Sequence, residues 1–422
     1  MTRDSPRPTG RSTAEFGHPP ALITFWRRLV RTALGHRVST PFYVFAAAPI
    51  AAAFDELRRV EQLVPVPTRH WLSCKTQPLL ALLAWWRRQG RPIEVVSEFE
   101  LLAARRAGFA PRDILVNGPA KHHWLPGHPL RGLRVNFDSR AELAALVPLA
   151  RALDWSVGVR CLTDEEHDPE QPTAPTQFGL APDEAVKALR WLRQAGLRLE
   201  TLHFHLRTNV ASAAVYGHAL AEVAAVCRAA AFAPRHLDVG GGLPPPCVRD
   251  RQGQFLDARF DLAALGRVYA RGLDAFPGLR ELWMENGRFV LARGGVLVTR
   301  VLEVKCRRGV RQLVCDGGRT LNALVSLWEQ HGLFWLPARA GRRVETSVYG
   351  PTCMAFDQLA RRPLPRSLRA GDHLIWLDAG AYHLPWETRF SHGLASVFWH
   401  DGKGVTAVRM REDFVAWWGQ WR

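Results

Sequence analysis

The stretch TLHFHLRTNVASAAVYGHALAEVAAVCRAAAFAPRHLDVGGGLP (201–244) begins with a β-type run, TLHFH, continues with an alanine-rich helical run, YGHALAEVAAVCRAAAF, and closes on a second β-type run, HLDVG, that leads into three glycines. A strand, a helix and a strand at this spacing make a parallel βαβ unit. The alternation continues in both directions. Before it lie HWLSC (70–74), IEVVS (93–97), DILVN (113–117), LRVNF (133–137) and SVGVR (156–160), and after it LWMEN (282–286), with helical runs such as LLALLAWWRRQG and EAVKALRWLRQAG between them. With FYVF (42–45) set aside as a lead-in, eight units result, the number that a closed (β/α)8 barrel requires. The expectation is therefore a TIM-like α/β barrel over residues 41–294. From about residue 295 the pattern changes: GGVLVTRVLEVKC, RQLVCDGG, DHLIWLD, LASVFW and VTAVRM have β character without regular helices between them. They predict a C-terminal β-rich domain over 295–422. Residues 1–40 read as an N-terminal extension, partly disordered, whose first twenty residues are rich in Pro, Arg, Ser and Thr. The polar stretch TDEEHDPEQPTAPTQ (163–177) reads as a long surface loop.

Composition narrows the class. The 422 residues are 47% hydrophobic, enough for a large core divided between domains. There is no run of about 18 apolar residues that would span a membrane, and the polar start has no apolar core of a secretory signal. The seven cysteines show no CxxC or Cys/His metal spacing, so neither a metal nor structural disulfides are expected, and a reducing cytoplasm fits best. The net charge of +17 is carried almost wholly by arginine, since the chain has only five lysines. These arginines are scattered through helical runs and not gathered in a tail. That distribution argues against nucleic acid and points to an acidic partner or an anionic substrate.

In such barrels the active site is built from the C-terminal ends of the strands. The first run ends in Cys74-Lys75, the second in Ser97-Glu98, the fifth in Arg160, the sixth in His203-Phe204-His205, the seventh in Gly240-Gly241-Gly242 and the eighth in Glu285-Asn286-Gly287-Arg288. A strand-end lysine is most often a solvated surface group, a strand histidine a satisfied core residue, and a glycine triplet a plain turn. Their convergence in barrel order says more than any one of them. Lysine is the side chain that condenses with an aldehyde, and burial tunes its basicity. A glycine-rich strand-to-loop junction lets backbone N–H groups approach a phosphate.

At this point the motifs SCKTQ (73–77), VVSEFEL (95–101), NGPAK (117–121), FDS (137–139), TQFGL (176–180), HFHLRTN (203–209), DVGGGLP (238–244), ENGR (285–288), YGPTCMAFD (349–357) and DAGAY (378–382) matter together. The chain resembles the pyridoxal-phosphate (PLP) dependent decarboxylases of the alanine-racemase-like fold, the group that contains diaminopimelate and ornithine decarboxylases. The resemblance covers about nine-tenths of the chain. It implies that Lys75 carries the cofactor covalently, that His205 stacks on its ring, and that Gly240, Gly241, Gly242, Arg288 and Tyr382 hold its phosphate. Glu285 would pair with the pyridine nitrogen, and Cys353 would be the proton donor, reaching the neighbour's site in a homodimer. Arg160, Arg207, Met354 and Asp357 would face the substrate. The resemblance also implies an amino-acid substrate in the cytoplasm. Two other readings of the same cofactor are a racemase or epimerase, which Glu285 opposes, and a non-catalytic PLP carrier, which the second domain with Cys353, Asp357 and Tyr382 opposes.

The sequence departs from the family where the substrate would be recognised. Met354 stands where the family has an acid that meets a distal ammonium. Leu206-Arg207-Thr208 replaces the family's HIGS segment, so that a cation stands where a small residue is usual, Gln177 replaces the SKFG lysine, and Asn286 the EPGR proline. The expectation is an acidic, neutral or carrier-protein-tethered amino acid from a specialised biosynthetic pathway. Asp357, three residues beyond Met354, could restore the ammonium contact.

Overall fold

The computed structural model describes residues 16–167, 176–325 and 327–422. Among the described residues the barrel strands are Thr68–His70 with Leu72–Ser73, Ile93–Val95, Ile114–Val116, Arg134–Phe137, Ser156–Arg160, Arg198–His203, His236–Asp238 and Glu281–Met284. Every pairing between them is parallel. The first strand is split at Trp71. Its Thr68–His70 part pairs with Glu281–Met284 and its Leu72–Ser73 part with Ile93–Val95, so the sheet closes on itself at this point. The Trp71 N–H donates to the Met284 carbonyl at 2.8 Å and bridges the break.

Helices follow most strands on the outside and bury one apolar stripe each, as in Pro182–Gln194 with Ala185, Ala188, Leu189 and Leu192. After the third strand the helix is reduced to two short 3-10 turns, Lys121–His123 and Leu125–Gly127. At the N-terminal end of the barrel Trp71, Leu115 and Trp283 form their own apolar cluster. Arg134 and His236, the first residues of their strands, lie against the Trp283 ring. That end is a packed plug, which leaves the opposite end for chemistry.

The second body is a mostly antiparallel sheet. Its strands run in the order Gln358–Pro365, Arg343–Tyr349, Val310–Cys315, Gly295–Arg307, Phe42–Ala46, Ser396–His400, Val405–Arg409, with His373–Trp376 and Leu333–Leu336 joined on one side. Phe42–Ala46, expected as the lead-in to the barrel, is a central strand here. It pairs antiparallel with Gly295–Arg307 and parallel with Ser396–His400. All five of its residues are buried, which is why a local reading could not assign it to one sheet or the other. Of the N-terminal extension, residues 1–15 lie outside the described residues, and Pro20–Gly35 is a helix. It buries Ile23, Trp26, Leu29, Val30 and Ala33 against Phe42, Val44, Val296, Val298 and Phe334 of the second sheet. Of the loop 163–177, residues 168–175 lie outside the described residues. Among the described residues no helix is long and apolar enough to cross a membrane.

Candidate active site

Lys75 follows the split first strand on a 3-10 turn, Cys74–Thr76. It opens into a cavity of about 210 Å³ lined also by Ser73, His205, Thr208, Gly242, Glu285, Arg288 and Tyr382. Lys75 is exposed at this cavity and also lines the wider opening beside it. Burial pulls its pKa down, but Glu94, Tyr382 and Glu285 outweigh that and the net direction is up, with Arg160 opposing. Glu94 is itself fixed by the Ser73 hydroxyl, which donates to it at 2.6 Å.

Glu285 sits beside a second buried carboxyl, Asp238. Burial pushes Glu285 well above the ordinary carboxylate range, and Asp238 and Glu94 push it further while Lys75 opposes. Burial also raises Asp238, to about 7, against the hydrogen bond from the Gly240 N–H. Each acid disfavours the charged form of the other, because two negative charges in low dielectric repel. An amide relay holds them: Asn136 Nδ2 donates to Asn117 Oδ1 at 3.0 Å and to Asp238 Oδ2 at 3.3 Å, and Asn117 Nδ2 donates to Glu285 Oε1 at 2.5 Å. Gly158 makes room for the relay, since a Cβ there would collide with Asn136 Oδ1 and lie 2.7 Å from the Thr201 Cβ.

The glycine triplet leaves no space for side chains. Gly240 and Gly242 have φ of +62° and +100°. A Cβ on Gly240 would strike His205 Nδ1, one on Gly241 would lie 2.6 Å from the Glu285 carbonyl, and one on Gly242 2.7 Å from the Arg207 carbonyl. The Gly241 N–H donates to His205 Nδ1 at 3.2 Å, which places the ring proton on Nε2. Burial, Arg160 and Lys75 hold the His205 pKa well below its ordinary value, so it presents a neutral ring to the cavity. The donor atoms of His203, His205 and Glu285 lie within 4.8 Å of one another. Both ring nitrogens of buried His203 lack a partner.

Arg288 faces the cavity from the helix Gly287–Leu291. It pairs with Glu329, and its guanidinium lies 4.8 Å from the centre of the Tyr382 ring. Burial opposes a charge on Glu329, but Arg288 and His331 together pull its carboxyl to about 2. The Tyr382 N–H donates to the Thr76 carbonyl at 2.8 Å, which ties Tyr382 to the turn that carries Lys75.

Lys75, His205, Gly242, Glu285, Arg288 and Tyr382 are thus brought to one cavity, with Gly240 and Gly241 behind His205. The remaining expected residues are not. Arg160 is buried beneath, paired with Glu166 and 3.8 Å from Asp138, and stacked on Phe178. Arg207 pairs with Glu165 at 2.6 Å on the outer loop. Cys353 and Met354 lie on a loop of the second sheet and do not line the Lys75 cavity of their own chain. Asp357 is buried: its oxygens accept from the Arg319 N–H at 2.7 Å, the Thr352 N–H at 3.1 Å and the Thr352 hydroxyl at 2.6 Å. These donors, from Thr352 of its own loop and from Arg319, occupy its charge. The residues not expected are Glu94, Asn117, Asn136 and Asp238. Their signal was present: each is a polar residue inside a buried barrel strand or at its end.

A cradle of three side-chain-free residues, a reactive amine, a carboxyl facing it and an arginine whose buried Nε lacks a partner fit a cofactor with an aldehyde and an anionic tail. Fold and site together define a lysine-anchored barrel enzyme of that kind. The chain belongs to the pyridoxal-dependent decarboxylases: residues 53–292 match the family's pyridoxal binding domain, and PLP is its cofactor. It is 32% identical over 412 residues to a diaminopimelate decarboxylase of Actinosynnema pretiosum, covering 90% of this chain and 88% of that protein. It is 27% identical to the L-glutamyl-[BtrI acyl-carrier protein] decarboxylase of Niallia circulans, covering 84% and 86%. The fold is that of Helicobacter pylori diaminopimelate decarboxylase complexed with L-lysine, with a TM-score of 0.78 at 21% identity over 94% of this chain and 98% of that one. The protein is a PLP-dependent amino-acid decarboxylase.

Proposed function

We propose that this decarboxylase acts on an amino acid whose distal end carries no free ammonium, and that the substrate is presented on an acidic carrier protein. The observation that carries the reading is the loop 350–357. Its one acid, Asp357, is buried and accepts hydrogen bonds from Thr352 of the loop and from the Arg319 N–H, and Met354 stands where an acid would meet the ammonium. A free basic amino acid would forgo a charge-assisted hydrogen bond worth about 1.5–3 kcal/mol, roughly ten- to a hundredfold in selection. The net charge of +17 favours encounter with an acidic protein. The Niallia relative, by its name, acts on a carrier-bound glutamyl group.

In this reading PLP supplies the sink for the electron pair left when the bond from Cα to the carboxylate breaks. Lys75 would hold the cofactor, the glycine triplet with Arg288 and Tyr382 would hold its phosphate, and neutral His205 would lie against its ring. Glu285 would favour the protonated pyridine nitrogen. Cys353 Sγ of a partner subunit would supply the proton that replaces the carboxylate at Cα. The homodimer is supported by Cys353, which is exposed and outside its own chain's cavity. Exposed Phe99 and Trp386 rim the wider opening next to Lys75, an apolar rim of the kind that interfaces cover.

The test is carbon dioxide release from lysine, ornithine, diaminopimelate, arginine, glutamate and a carrier-bound amino acid. We expect the carrier-bound amino acid to have the highest kcat/KM; a free acidic or neutral amino acid turned over best would overturn the carrier and keep the absence of a distal ammonium. Best turnover of a free basic amino acid, with that preference lost in Asp357→Ala, would overturn the proposal.

A further inference from the structure

The segment 378–382 that carries Tyr382 is held in an unusual backbone. Asp378 and Tyr382 are not glycines, yet their φ values are +59° and +65°, a conformation that persists only where the surroundings fix it. Backbone bonds supply part of this: Ala379 N–H to the Gly295 carbonyl and Gly380 N–H to the Ala292 carbonyl, each at 2.9 Å, and Tyr382 N–H to the Thr76 carbonyl. The other hold comes from the far end of the chain. His18 Nε2 lies 2.7 Å from Asp378 Oδ2, and both side chains are essentially excluded from water. The second oxygen of Asp378 has no partner among the described residues.

His18 is presented by two anchors. On one side is the helix Pro20–Gly35, packed on the second sheet. On the other is Phe16, whose ring lies under the guanidinium groups of Arg249 and Arg362, at 4.3 and 4.8 Å, with Phe255 edge-on. Arg249 lies on the connection that follows the glycine triplet. Arg249–Asp250 pairs with Glu329–Gln330, and Glu329 is the partner of Arg288. The segment 16–18 thus rests against both structures that stand behind Arg288 and Tyr382.

We infer that His18 is a positioning residue for the phosphate group of the cofactor: by pairing with Asp378 it fixes the segment that aims the Tyr382 hydroxyl. This rests on the proposed role of Tyr382 as a phosphate holder. A loose segment would cost affinity for the phosphate and leave recognition of the ring and the aldehyde by Lys75 and His205 as it was.

The experiment titrates apoenzyme with PLP and with pyridoxal, which lacks the phosphate, by the absorbance of the bound cofactor. His18→Ala should weaken PLP by about tenfold, the effect of losing one charge-assisted hydrogen bond. It should leave pyridoxal affinity and kcat at saturating PLP unchanged. His18→Gln, whose amide can reach Asp378, should recover most of the loss. If His18→Ala does not fold, His18→Asn, too short to reach, gives the same comparison. Tyr382→Phe is the reference. If Tyr382→Phe keeps the preference of PLP over pyridoxal, the phosphate role of Tyr382 fails and the inference falls with it. If Tyr382→Phe loses that preference and the His18 variants keep it, the inference alone is overturned. Equal weakening of PLP and pyridoxal in the His18 variants reports general loosening and also overturns it.

Discussion

Glu285 and Asp238 decide what the pocket can bind. Two carboxyls buried side by side repel as anions, and burial disfavours the charge on both. A cationic ring nitrogen at Glu285 would favour its carboxylate form. The expected sign is therefore that a cationic ring nitrogen beside Glu285 would oppose the upward shift that burial and Asp238 impose on its carboxyl. Replacement by alanine would remove that counter-charge, and Asp238 does not line the cavity to take its place. Each unit of pKa lost at the ring nitrogen corresponds to about 1.4 kcal/mol. Glu285→Ala should lower kcat by roughly a hundredfold or more, with PLP still bound in near-stoichiometric amount, as single-turnover kinetics and cofactor content together would reveal. Near-normal kcat in that variant would refute the role.

At the scale of elements, the barrel was legible because its strands are short apolar runs that end in polar residues, and the helices between them carry clear 3.6-residue periodicity. The break at Trp71 was not legible, because it depends on which neighbour each half pairs with. Phe42–Ala46 was misplaced for the same reason: its partners, Val298 and Ser396 for Phe42, lie some 250 and 350 residues away in the chain. The helix Pro20–Gly35 could have been found, since Ile23, Trp26, Val30 and Ala33 recur at helical spacing behind a proline at the first turn. The composition of the preceding residues masked it. Asp357 could not have been read as buried, because two of its three donors are backbone N–H groups that sequence does not distinguish. The glycine triplet was legible, and its geometry yields a sharp expectation. An alanine at Gly241 would meet the Glu285 carbonyl at 2.6 Å, a backbone atom with no room to yield. Overpacking of this sort destabilises the folded protein by about 1–3 kcal/mol, so Gly241→Ala should lower the thermal unfolding temperature of the apoenzyme and, because the loop must shift to relieve the clash, also raise the Kd for PLP. Unaltered PLP affinity would mean that the loop is not the phosphate cradle.

At the scale of the whole molecule, the chain separates its chemistry between two bodies. The amine, the carboxyl pair and the phosphate cradle are at the barrel mouth. The proposed proton donor is an exposed thiol on a loop of the second sheet, outside the Lys75 cavity of the same chain. An isologous pair of subunits solves this, because each then lends its loop to the other's mouth. A monomer would need the second sheet to swing against a barrel to which it is bound by the strand Phe42–Ala46 and the continuous strand Gly295–Arg307. The two arrangements give opposite results in a mixing experiment. Lys75→Ala removes the cofactor anchor and Cys353→Ala removes the donor, so each protein alone should be nearly inactive. In randomly reassorted dimers half of the molecules are mixed, and each of these contains one site with both residues intact, so activity should return to about a quarter of the wild-type sites. Activity that stays at the level of the parents, when subunit exchange has been shown by a labelled partner, would place Cys353 and Lys75 in the same chain's site and remove the case for a shared one.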